Sequence, residues 1–455
     1  FPMSSILSAP GAAQSGSARQ GDIDALYGKI TRRLIPFLFI CYLLNFIDRA
    51  NVGFAQLQMK SSLGFSDAVY GLGAAMFFVG YVLFEVPSNL LLQRIGARLT
   101  IMRIMLLWGL ASSATLLVTT PAQFYLVRFL LGVFEAGFFP GIVLYLTFWY
   151  PPQRRARVLA LFCMAQVAAA FITSPVSGWI LKNLDGVHGW AGWQWMFFAE
   201  GMPTVLLGLL VYFLLPDGPA RARWLSGDER ELLRQELQQA PAASDAPGTD
   251  GHAGVLRDPR VYLLAFGAFV SGCAGYFLAF WTPTIIRELG VADLQMVGLY
   301  AVIPNIFGLF AMQYWGRRSD RYNEQRLHWC AAFLLAAGGF AAMGVAIASG
   351  SLVWTLVAIS TGGSGLVAAT PVFWAMVTRY LAAQHAALGI AFINTLASAA
   401  GASPALVGYM KAHSGNLNGV ITLLVALFLV AAGALYLGMR TTQEKGASHN
   451  RSANA

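Results

Sequence analysis

Two stretches of the sequence place acidic and basic side chains within otherwise apolar runs. Asp48 and Arg49 are adjacent in one run, and Arg128 and Glu135 are seven residues apart in another. On an α-helix, a seven-residue spacing puts two side chains on one face, about 10 Å apart along the axis. Arginine can bind carboxylates through two parallel hydrogen bonds, and a nearby acid can take up and release a proton. The two stretches therefore contain side chains of types that could bind an anion or exchange a proton.

The composition of the chain indicates that these runs lie in a lipid bilayer. Of the 455 residues, 57% are hydrophobic and 11% are charged, whereas a soluble domain carries about 25% charged residues. A charge at membrane depth costs at least about 2.5–3.5 kcal/mol, so each ionisable side chain there needs a partner or a water-filled cavity. Since one span takes roughly 20 apolar residues, the pattern predicts twelve helices, at about 34–56, 70–92, 99–119, 122–147, 158–181, 195–215, 260–283, 295–314, 328–348, 352–378, 387–408 and 418–439.

The predicted helices divide into two sets of six, which predicts an all-α membrane protein built from two six-helix bundles. Residues 93–96 follow the second helix as residues 320–321 follow the eighth, at an offset of 227 positions, as expected for a duplicated unit. Phe1 and Pro2 precede the first methionine and are expected to be a cloning remnant. The predicted order is a disordered cytoplasmic N-terminus (1–29), the first bundle (30–215), a polar cytoplasmic linker (216–258), the second bundle (259–440) and a cytoplasmic tail (441–455).

The distribution of basic residues predicts the orientation of the chain. Of the 30 Lys and Arg residues, 24 lie in the N-terminal segment, the even-numbered loops and the C-terminal tail, four lie in odd-numbered loops, and Arg49 and Arg128 lie within spans. Basic residues accumulate on the cytoplasmic side of membrane proteins. Both termini are therefore predicted to be cytoplasmic, and the net charge of +9 is assigned to orientation rather than to nucleic-acid binding.

Several classes of function lack their sequence signals. The four cysteines are widely spaced in apolar runs, and the six histidines lie outside the predicted mid-span regions, so neither disulfides nor metal binding are expected. No phosphate-binding loop of the G-x-x-x-x-G-K-[ST] type occurs. We therefore expect no metal, no cofactor, no ATP-driven step and no enzymatic activity.

The loop after the eighth predicted helix contains a G-x-x-x-D-R motif. It comprises residues 316–321 and includes Asp320 and Arg321, while the degenerate copy after the second helix keeps Arg94 and Arg98. Charge-assisted hydrogen bonds between such groups can hold the cytoplasmic ends of neighbouring helices together. These four residues are the predicted conformational gate, although a role in orientation alone explains the first copy adequately.

Four stretches of the sequence, three of them charged, together resemble a known family. The stretches are residues 45–55 (NFIDRANVGFA), 85–89 (EVPSN), 128–141 (RFLLGVFEAGFFPG) and 174–178 (SPVSG). They are similar to the anion:cation symporter family of the major facilitator superfamily, which includes bacterial carriers of galactonate, glucarate, tartrate, phthalate and hydroxyphenylacetate. The resemblance runs from about residue 30 to about residue 440 and implies the two-bundle fold and alternating access.

The resemblance also implies roles for the four charged residues. Arg49 would bind the substrate carboxylate, and Asp48 and Glu135 would carry protons, coupled to Arg49 and Arg128. Protonation of Asp48 would free Arg49 for the incoming anion. The alternatives are a static buried Asp48–Arg49 ion pair and an Arg128–Glu135 bridge that serves only helix packing.

Five further residues match positions that line the central cavity in that family: Tyr81, Gln166, Thr370, Trp374 and Asn394. Gln166 and Asn394 are 228 positions apart, so the repeat would bring their amides together across the pseudo-two-fold axis. A packing role is an equal alternative for each. Glu200 receives no role from the sequence.

The resulting hypothesis is a proton-coupled symporter of the bacterial inner membrane that imports a small organic carboxylate as a monomer. Its partners would be the anion, protons and the lipid bilayer. Phe46 stands where relatives often have Tyr, which favours a flat or aromatic carboxylate over a polyhydroxylated one. An antiporter or exporter on the same fold is the main alternative, and a membrane sensor is less consistent with the short polar linker and tails.

Overall fold

Sixteen α-helices make up the part of the chain that the structure, a computed structural model, describes, namely residues 10–239, 257–322, 324–381 and 386–439. These ranges contain no β-strand. The helices are α1 (Pro10–Ala50), α2 (Val52–Ser62), α3 (Asp67–Ile95), α4 (Ala97–Ala114), α5 (Pro121–Glu135), α6 (Phe138–Thr147), α7 (Pro152–Asn183), α8 (Gly192–Leu214), α9 (Gly227–Gln239), α10 (Pro259–Glu288), α11 (Leu294–Tyr322), α12 (Gln325–Ala348), α13 (Leu352–Tyr380), α14 (Ala386–Ser398), α15 (Ser403–Ser414) and α16 (Asn418–Gly438).

Eleven segments of the described residues are long and apolar enough to cross a membrane. Two of them are helix pairs, since α1 and α2 form one span and α5 and α6 form another. The predicted helix at 387–408 is divided into α14, a 3₁₀ turn (Ala399–Ala402) and α15. Neither α14 nor α15 is long enough to cross a membrane alone. The predicted all-α membrane fold is confirmed, with its eleventh span interrupted.

The N-terminal segment differs from the expected disorder of residues 1–29. Helix α1 begins at Pro10, and Ile23, Leu26, Tyr27 and Ile30 are buried against the first bundle. Their spacing is that of one helix face. The polar residues between them conceal this apolar stripe in a search for membrane spans, which explains why the sequence did not predict it. Residues 1–9 lie outside the described residues.

The linker begins with a helix that packs on the first bundle. At the start of α9, the Ser226 hydroxyl accepts from the Glu229 backbone N–H at 3.1 Å and the Glu229 carboxylate accepts from the Ser226 N–H at 2.8 Å, which is a capping box. Glu229 also accepts two 2.8 Å hydrogen bonds from Lys29 on α1. The bond from Lys29 lowers the pKa of Glu229 below its ordinary value. Residues 240–256 of the predicted linker lie outside the described residues.

The two bundles approach each other at the end of the molecule that α2 reaches, here called the distal end. The opposite end, where α1 starts, is the proximal end. Gly71 on α3 faces Gly408 on α15, and Gly178 on α7 faces Gly298 on α11. A Cβ atom at Gly71 would lie 2.3 Å from the Pro404 carbonyl oxygen, and one at Gly298 would lie 2.3 Å from that of Ser174. Only glycine permits this backbone approach.

The two glycine crossings are related by the internal repeat. Positions 71 and 298 are 227 residues apart and positions 178 and 408 are 230 apart, close to the offset found in the sequence. The crossings are therefore copies of one contact, arranged about the pseudo-two-fold axis between the bundles. This symmetry closes the distal end from both sides of the central axis.

Candidate functional site

Both charged stretches lie where a membrane-spanning helix is broken. The first span is interrupted at Asn51, between α1 and α2, and the fourth at Ala136 and Gly137, between α5 and α6. Gly137 has φ +86°, a left-handed conformation that glycine adopts without steric cost. Breaks of this kind at membrane depth occur where the backbone lines a cavity or is buried in protein. They place Arg49 and Glu135 at facing helix ends.

Arg49 and Glu135 form a buried ion pair between the first and fourth spans. Arg49 Nε donates to Glu135 Oε1 at 2.5 Å. The Glu135 side chain is fully buried, whereas 28% of the Arg49 side chain is exposed. The second carboxylate oxygen of Glu135 is buried without a hydrogen bond. Arg49 is thus the accessible member of the pair, and Glu135 is the buried member.

Aromatic rings surround the Arg49 guanidinium group. Its central carbon lies 5.0 Å from the ring centre of Tyr81, 5.4 Å from that of Phe77 and 5.9 Å from that of Phe46. Ring faces within about 6 Å attract a cation. These contacts stabilise Arg49 at membrane depth when no carboxylate is bound to it.

Asp48 does not contact Arg49, contrary to the expected competition at the guanidinium. Its carboxylate accepts from Trp108 Nε1 at 2.6 Å, from Asn51 Nδ2 at 3.2 Å and from the Ser112 hydroxyl. Adjacent helix residues point about 100° apart, so Asp48 faces α4 while Arg49 faces the interior between the bundles. The acid that occupies Arg49 is Glu135, and the static Asp48–Arg49 pair considered from the sequence is also absent from the described residues.

Arg128 is a second buried cation, and it has no acidic partner among the described residues. It is 1% exposed, its Nε has no hydrogen-bond partner, and its guanidinium carbon lies 5.1 Å from the Phe77 ring centre. The Arg128–Glu135 bridge suggested by their spacing does not form, because Glu135 is taken by Arg49. A buried guanidinium without a counter-ion is poorly compensated and favours the approach of an anion.

A cavity of about 620 Å³ lies between the two bundles beside these arginines. Its wall includes three predicted site residues, Arg49, Arg128 and Gln166, and it includes no Asp or Glu. Tyr81 contacts Arg49 but does not line the cavity, and neither do Thr370, Trp374 and Asn394. The volume is within the usual range for small-molecule sites, about 300–1,000 Å³. The cavity therefore combines room for a small solute with two positive charges.

The second bundle contributes three polar side chains that the sequence did not identify, Tyr276, Thr282 and Asn305. Tyr276 packs against Phe78, with ring centres 4.5 Å apart and ring planes tilted by 55°, and Asn305 donates to the Ala170 carbonyl at 3.0 Å. Position 276 is 227 residues after Arg49, and position 305 is 227 residues after Phe78. Applying the repeat offset to Arg49 would have found Tyr276, whereas Phe78 lies outside the charged stretches, so the offset gave no signal for Asn305.

The distal end below the cavity is closed by a buried charge network. Lys411 on α15 is 3% exposed, and its Nζ lies 2.6 Å from Glu288 and 3.8 Å from Asp67. Asp67 on α3 also accepts from Lys60 at 2.9 Å and from Gln56 at 2.8 Å. Because Lys411 belongs to the second bundle and Asp67 to the first, the network joins the two bundles.

A second distal ion pair joins the bundles on the other side. Lys182 at the end of α7 lies 2.5 Å from Asp293, which directly precedes α11. This hydrogen bond lowers the pKa of Asp293 below its ordinary value. The carboxylate therefore stays ionised at neutral pH, and the pair is lost only as the pH falls through that lowered pKa.

The predicted gate at the proximal end makes no ion pair among the described residues. Asp320, Arg321 and Arg94 are exposed, and Arg98 packs its guanidinium carbon 3.9 Å from the ring centre of Tyr212. The ion pairs that connect the bundles in the described part of the chain are both distal. The cavity is thus closed on the side of the distal network, and in the described ranges no ion pair joins the proximal end of one bundle to that of the other.

Comparisons with known proteins identify the family. The sequence model of the Major Facilitator Superfamily matches residues 38–406. A protein of Pseudomonas putida named putative metabolite transport protein NicT is 44% identical over 425 residues, covering 90% of this chain and 96% of that protein. A putative tartrate transporter of Agrobacterium vitis is 43% identical over 421 residues, covering 92% and 95%. A quinolone resistance transporter of Acinetobacter baumannii is 41% identical over 389 residues, covering 85% and 89%.

A solved structure shares the fold. It is that of a bacterial homologue of the human lysosomal transporter Spinster, with a TM-score of 0.74, 17% identity, and coverage of 91% of this chain and 98% of that one. In agreement with the resemblance seen in the charged stretches, the chain belongs to the Major Facilitator Superfamily and is a multi-pass membrane transporter of the anion-symporter type.

Proposed function

We propose that the protein imports a small organic carboxylate together with protons by alternating access. The proposal rests mainly on the 2.5 Å ion pair between Glu135 and Arg49. This pair lies at the edge of a cavity whose wall contains two arginines and no acidic residue. A substrate carboxylate is chemically equivalent to the Glu135 carboxylate that Arg49 already binds. A substrate carboxylate can therefore replace the Glu135 carboxylate as the hydrogen-bond partner of Arg49.

The exchange couples the proton to the substrate. When Glu135 is ionised, it satisfies Arg49 and disfavours a second carboxylate there. When Glu135 is protonated, Arg49 loses its counter-ion and gains affinity for the substrate. By linkage, a bound substrate at Arg49 favours the protonated form of Glu135 to the same extent. When substrate is bound at Arg49, the site thus also holds a proton on Glu135.

Arg128, Gln166 and the aromatic rings extend the site beyond Arg49. Arg128 lines the same cavity without an acidic partner and can neutralise a second negative group on the solute. Phe46, Phe77 and Tyr276 offer flat apolar faces. A relative is named for tartrate, and the aromatic wall suits an aromatic acid, so both classes belong in a substrate screen.

The remaining predicted roles are part of the proposal. Asp48 is assigned as a second proton-carrying acid that acts within the first bundle instead of at Arg49. Thr370, Trp374 and Asn394 are assigned to the solute path toward the proximal end, and the loops containing Asp320, Arg321, Arg94 and Arg98 to closure of that end. The protein would act as a monomer in the bacterial inner membrane, with both termini in the cytoplasm.

The direct test is uptake into proteoliposomes. Purified protein is expected to accumulate radiolabelled tartrate, or a benzoate-type aromatic acid from the same panel, when the outside is more acidic than the lumen. A protonophore should abolish the accumulation. Expulsion of the solute under the same gradient would support the exporter alternative, which the name of the Acinetobacter relative favours. Failure of every carboxylate in the panel to move in either direction would contradict the proposal.

A substitution at a glycine crossing tests alternating access. Gly298→Val is expected to reduce uptake at least about fivefold, because overpacking costs about 1–3 kcal/mol and here it acts only on the state with the distal end closed. The effect follows from the 2.3 Å that would separate a Cβ at position 298 from the Ser174 carbonyl oxygen. An impermeant maleimide should also label a cysteine placed at Phe280 faster from the distal side.

The matched control is Gly338→Val, which makes the same change on helix α12. No atom lies within 4 Å of a Cβ at Gly338, so uptake and labelling are expected to stay within about twofold of the wild type. Equal losses in both variants would indicate a general helix defect instead of a blocked closure.

A further inference from the structure

Glu200 is a buried acid that the transport cycle described above does not use. It lies on α8, is 5% exposed, and accepts a 3.0 Å hydrogen bond on Oε1 from the Ser177 hydroxyl of α7. Its Oε2 atom is buried and has no hydrogen-bond partner. Among the described residues, no Lys, Arg or His forms an ion pair with it. In the part of the chain that the structure describes, its hydrogen-bond donors are thus neutral groups.

This environment favours the protonated form of the Glu200 carboxyl. An ionised carboxylate buried without a cation loses its hydration and is strongly destabilised, unless several donors replace the lost water. Protonation removes the charge and turns one oxygen into a donor. The unpartnered Oε2 is the atom on which a proton would relieve the most unfavourable feature of the site.

Asn51 connects Glu200 with Asp48. Its Nδ2 donates to Asp48 Oδ1 at 3.2 Å, and its side-chain amide also interacts with Glu200. Its Oδ1 is buried and has no hydrogen-bond donor. Asn51 is the residue at which the first span is broken into α1 and α2. An amide therefore stands between two buried acids, at a point where the helix backbone is already interrupted.

The two N–H bonds of the Asn51 amide could donate to both acids, but its buried Oδ1 would then stay without a donor. That oxygen is satisfied only if one of the two acids carries a proton and donates it. The NH₂ group of asparagine donates and suits a carboxylate, whereas its oxygen accepts and suits a carboxylic acid. With the NH₂ group on ionised Asp48, the free Oδ1 suits a protonated Glu200. If the Asn51 amide rotates by half a turn, the ionised acid becomes Glu200 and the protonated acid becomes Asp48. The total charge and the number of bound protons stay the same.

The charged groups on the elements around Glu200 do not provide an alternative counter-ion. In the distal half, the helices that pack against α8 carry Asp48 and Arg49 on α1, Lys60 on α2 and Lys182 on α7. Arg49, Lys60 and Lys182 are paired with Glu135, Asp67 and Asp293, respectively. The basic residues of α4, Arg98 and Arg103, lie toward the proximal end. Asp48 is the one unpaired charge of this set, and it is an acid.

We propose that Glu200 is a proton-carrying site that shares one proton with Asp48 through the Asn51 amide. Glu200 follows the distal start of α8 at Gly192 by eight residues, which is about 12 Å along the helix. It therefore lies between the distal surface and Asp48, on the side from which a symporter takes its protons. The role in coupling rests on the proposed function, whereas the protonation of Glu200 does not.

The protonation is tested by infrared spectroscopy of the purified protein in nanodiscs, without substrate. At about pH 7, where an ordinary glutamate with a pKa of about 4.3 is ionised, the wild type should show a carboxylic-acid C=O stretching band that is missing in Glu200→Gln. Glu200→Asp keeps a carboxyl group and should retain a shifted band, which separates loss of the proton site from misfolding. An unchanged band in Glu200→Gln would overturn the proposal.

The sharing through Asn51 is tested by the pH dependence of the same band. Asn51→Leu removes the amide and should uncouple the titrations of Asp48 and Glu200, so that in this background Asp48→Asn no longer shifts the pH midpoint of the Glu200 band. In the wild-type background, Asp48→Asn should shift the pH midpoint of the Glu200 band. No shift would show that the two acids do not share a proton.

Transport measurements separate this inference from the proposed function. Glu200→Gln should move the pH profile of carboxylate uptake while leaving substrate binding at saturating pH intact, an effect that a purely structural residue would not produce. Ser177→Ala, which removes only the donor to Oε1, should leave the Glu200 band in place. A wild type that shows the band but moves no carboxylate would contradict the proposed function and leave the proton site standing.

Discussion

Arg49→Lys is expected to lower the rate of carboxylate uptake by about 10- to 100-fold, the equivalent of one charge-assisted hydrogen bond of about 1.5–3 kcal/mol. The guanidinium group has a planar set of donors that can hold a carboxylate through two bonds, whereas the lysine ammonium is a point charge on a flexible chain. Arg49 is also held by the rings of Phe77 and Tyr81 at 5.4 and 5.0 Å, and a lysine would not keep the planar stacking. Because lysine retains the positive charge, the decrease in uptake reports on the planar donor geometry of the guanidinium group.

The measurement is initial uptake by proteoliposomes over a range of substrate concentrations, together with binding by isothermal calorimetry. The matched control is Arg221→Lys, since Arg221 forms an ion pair with Asp217 but its side chain is 76% exposed. That exchange is expected to change uptake by less than about twofold. Unaltered uptake and binding in Arg49→Lys would refute the assignment of Arg49 as the carboxylate ligand.

Glu135→Gln is expected to abolish accumulation driven by an acid gradient while preserving exchange of labelled for unlabelled substrate. The glutamine has almost the same shape and can still accept a hydrogen bond from Arg49, but it cannot ionise. Arg49 is then always available to the substrate, and no proton has to be bound for the anion to enter. Binding of the carboxylate should also become much less dependent on pH.

Asp228→Asn is the control for this experiment, because Asp228 is an exposed acid on α9 that forms no ion pair in the described residues. It is expected to retain gradient-driven accumulation within about twofold of the wild type. If Glu135→Gln loses exchange and accumulation to the same extent, Glu135 serves packing and the proton is carried elsewhere.

The sequence shows which charged residues lie within membrane spans, but not which of them pair. Asp48, Arg49, Arg128 and Glu135 are recognisable because charged side chains are costly in lipid. Their pairing depends on how separate helices are rotated against each other, and sequence spacing contains no information about that rotation. Arg49 is therefore paired with Glu135, 86 positions away, while neither of the pairs suggested by proximity along the chain occurs in the part of the chain that the structure describes.

The helix breaks explain a second difference. The seven-residue spacing of Arg128 and Glu135 assumes one continuous helix, but α5 ends at Glu135 and the chain turns at Gly137. Neighbouring glycine and proline residues, here Gly137 and Pro140, offer a signal for such a break. The start of α1 within the predicted disordered segment was missed for the opposite reason, because its apolar residues occupy one face instead of a continuous run.

The glycine crossings at the distal end have a consequence for the conditions under which the carrier can work. Backbone surfaces in direct contact attract each other through dispersion forces, which dissolved ions do not weaken. The Lys182–Asp293 pair, in contrast, is partly exposed and loses strength as the Debye length shortens in saline media. Gly71, Gly178, Gly298 and Gly408 supply a contact that ionic strength does not weaken, so the distal end should stay closed equally well at low and at high salt concentration.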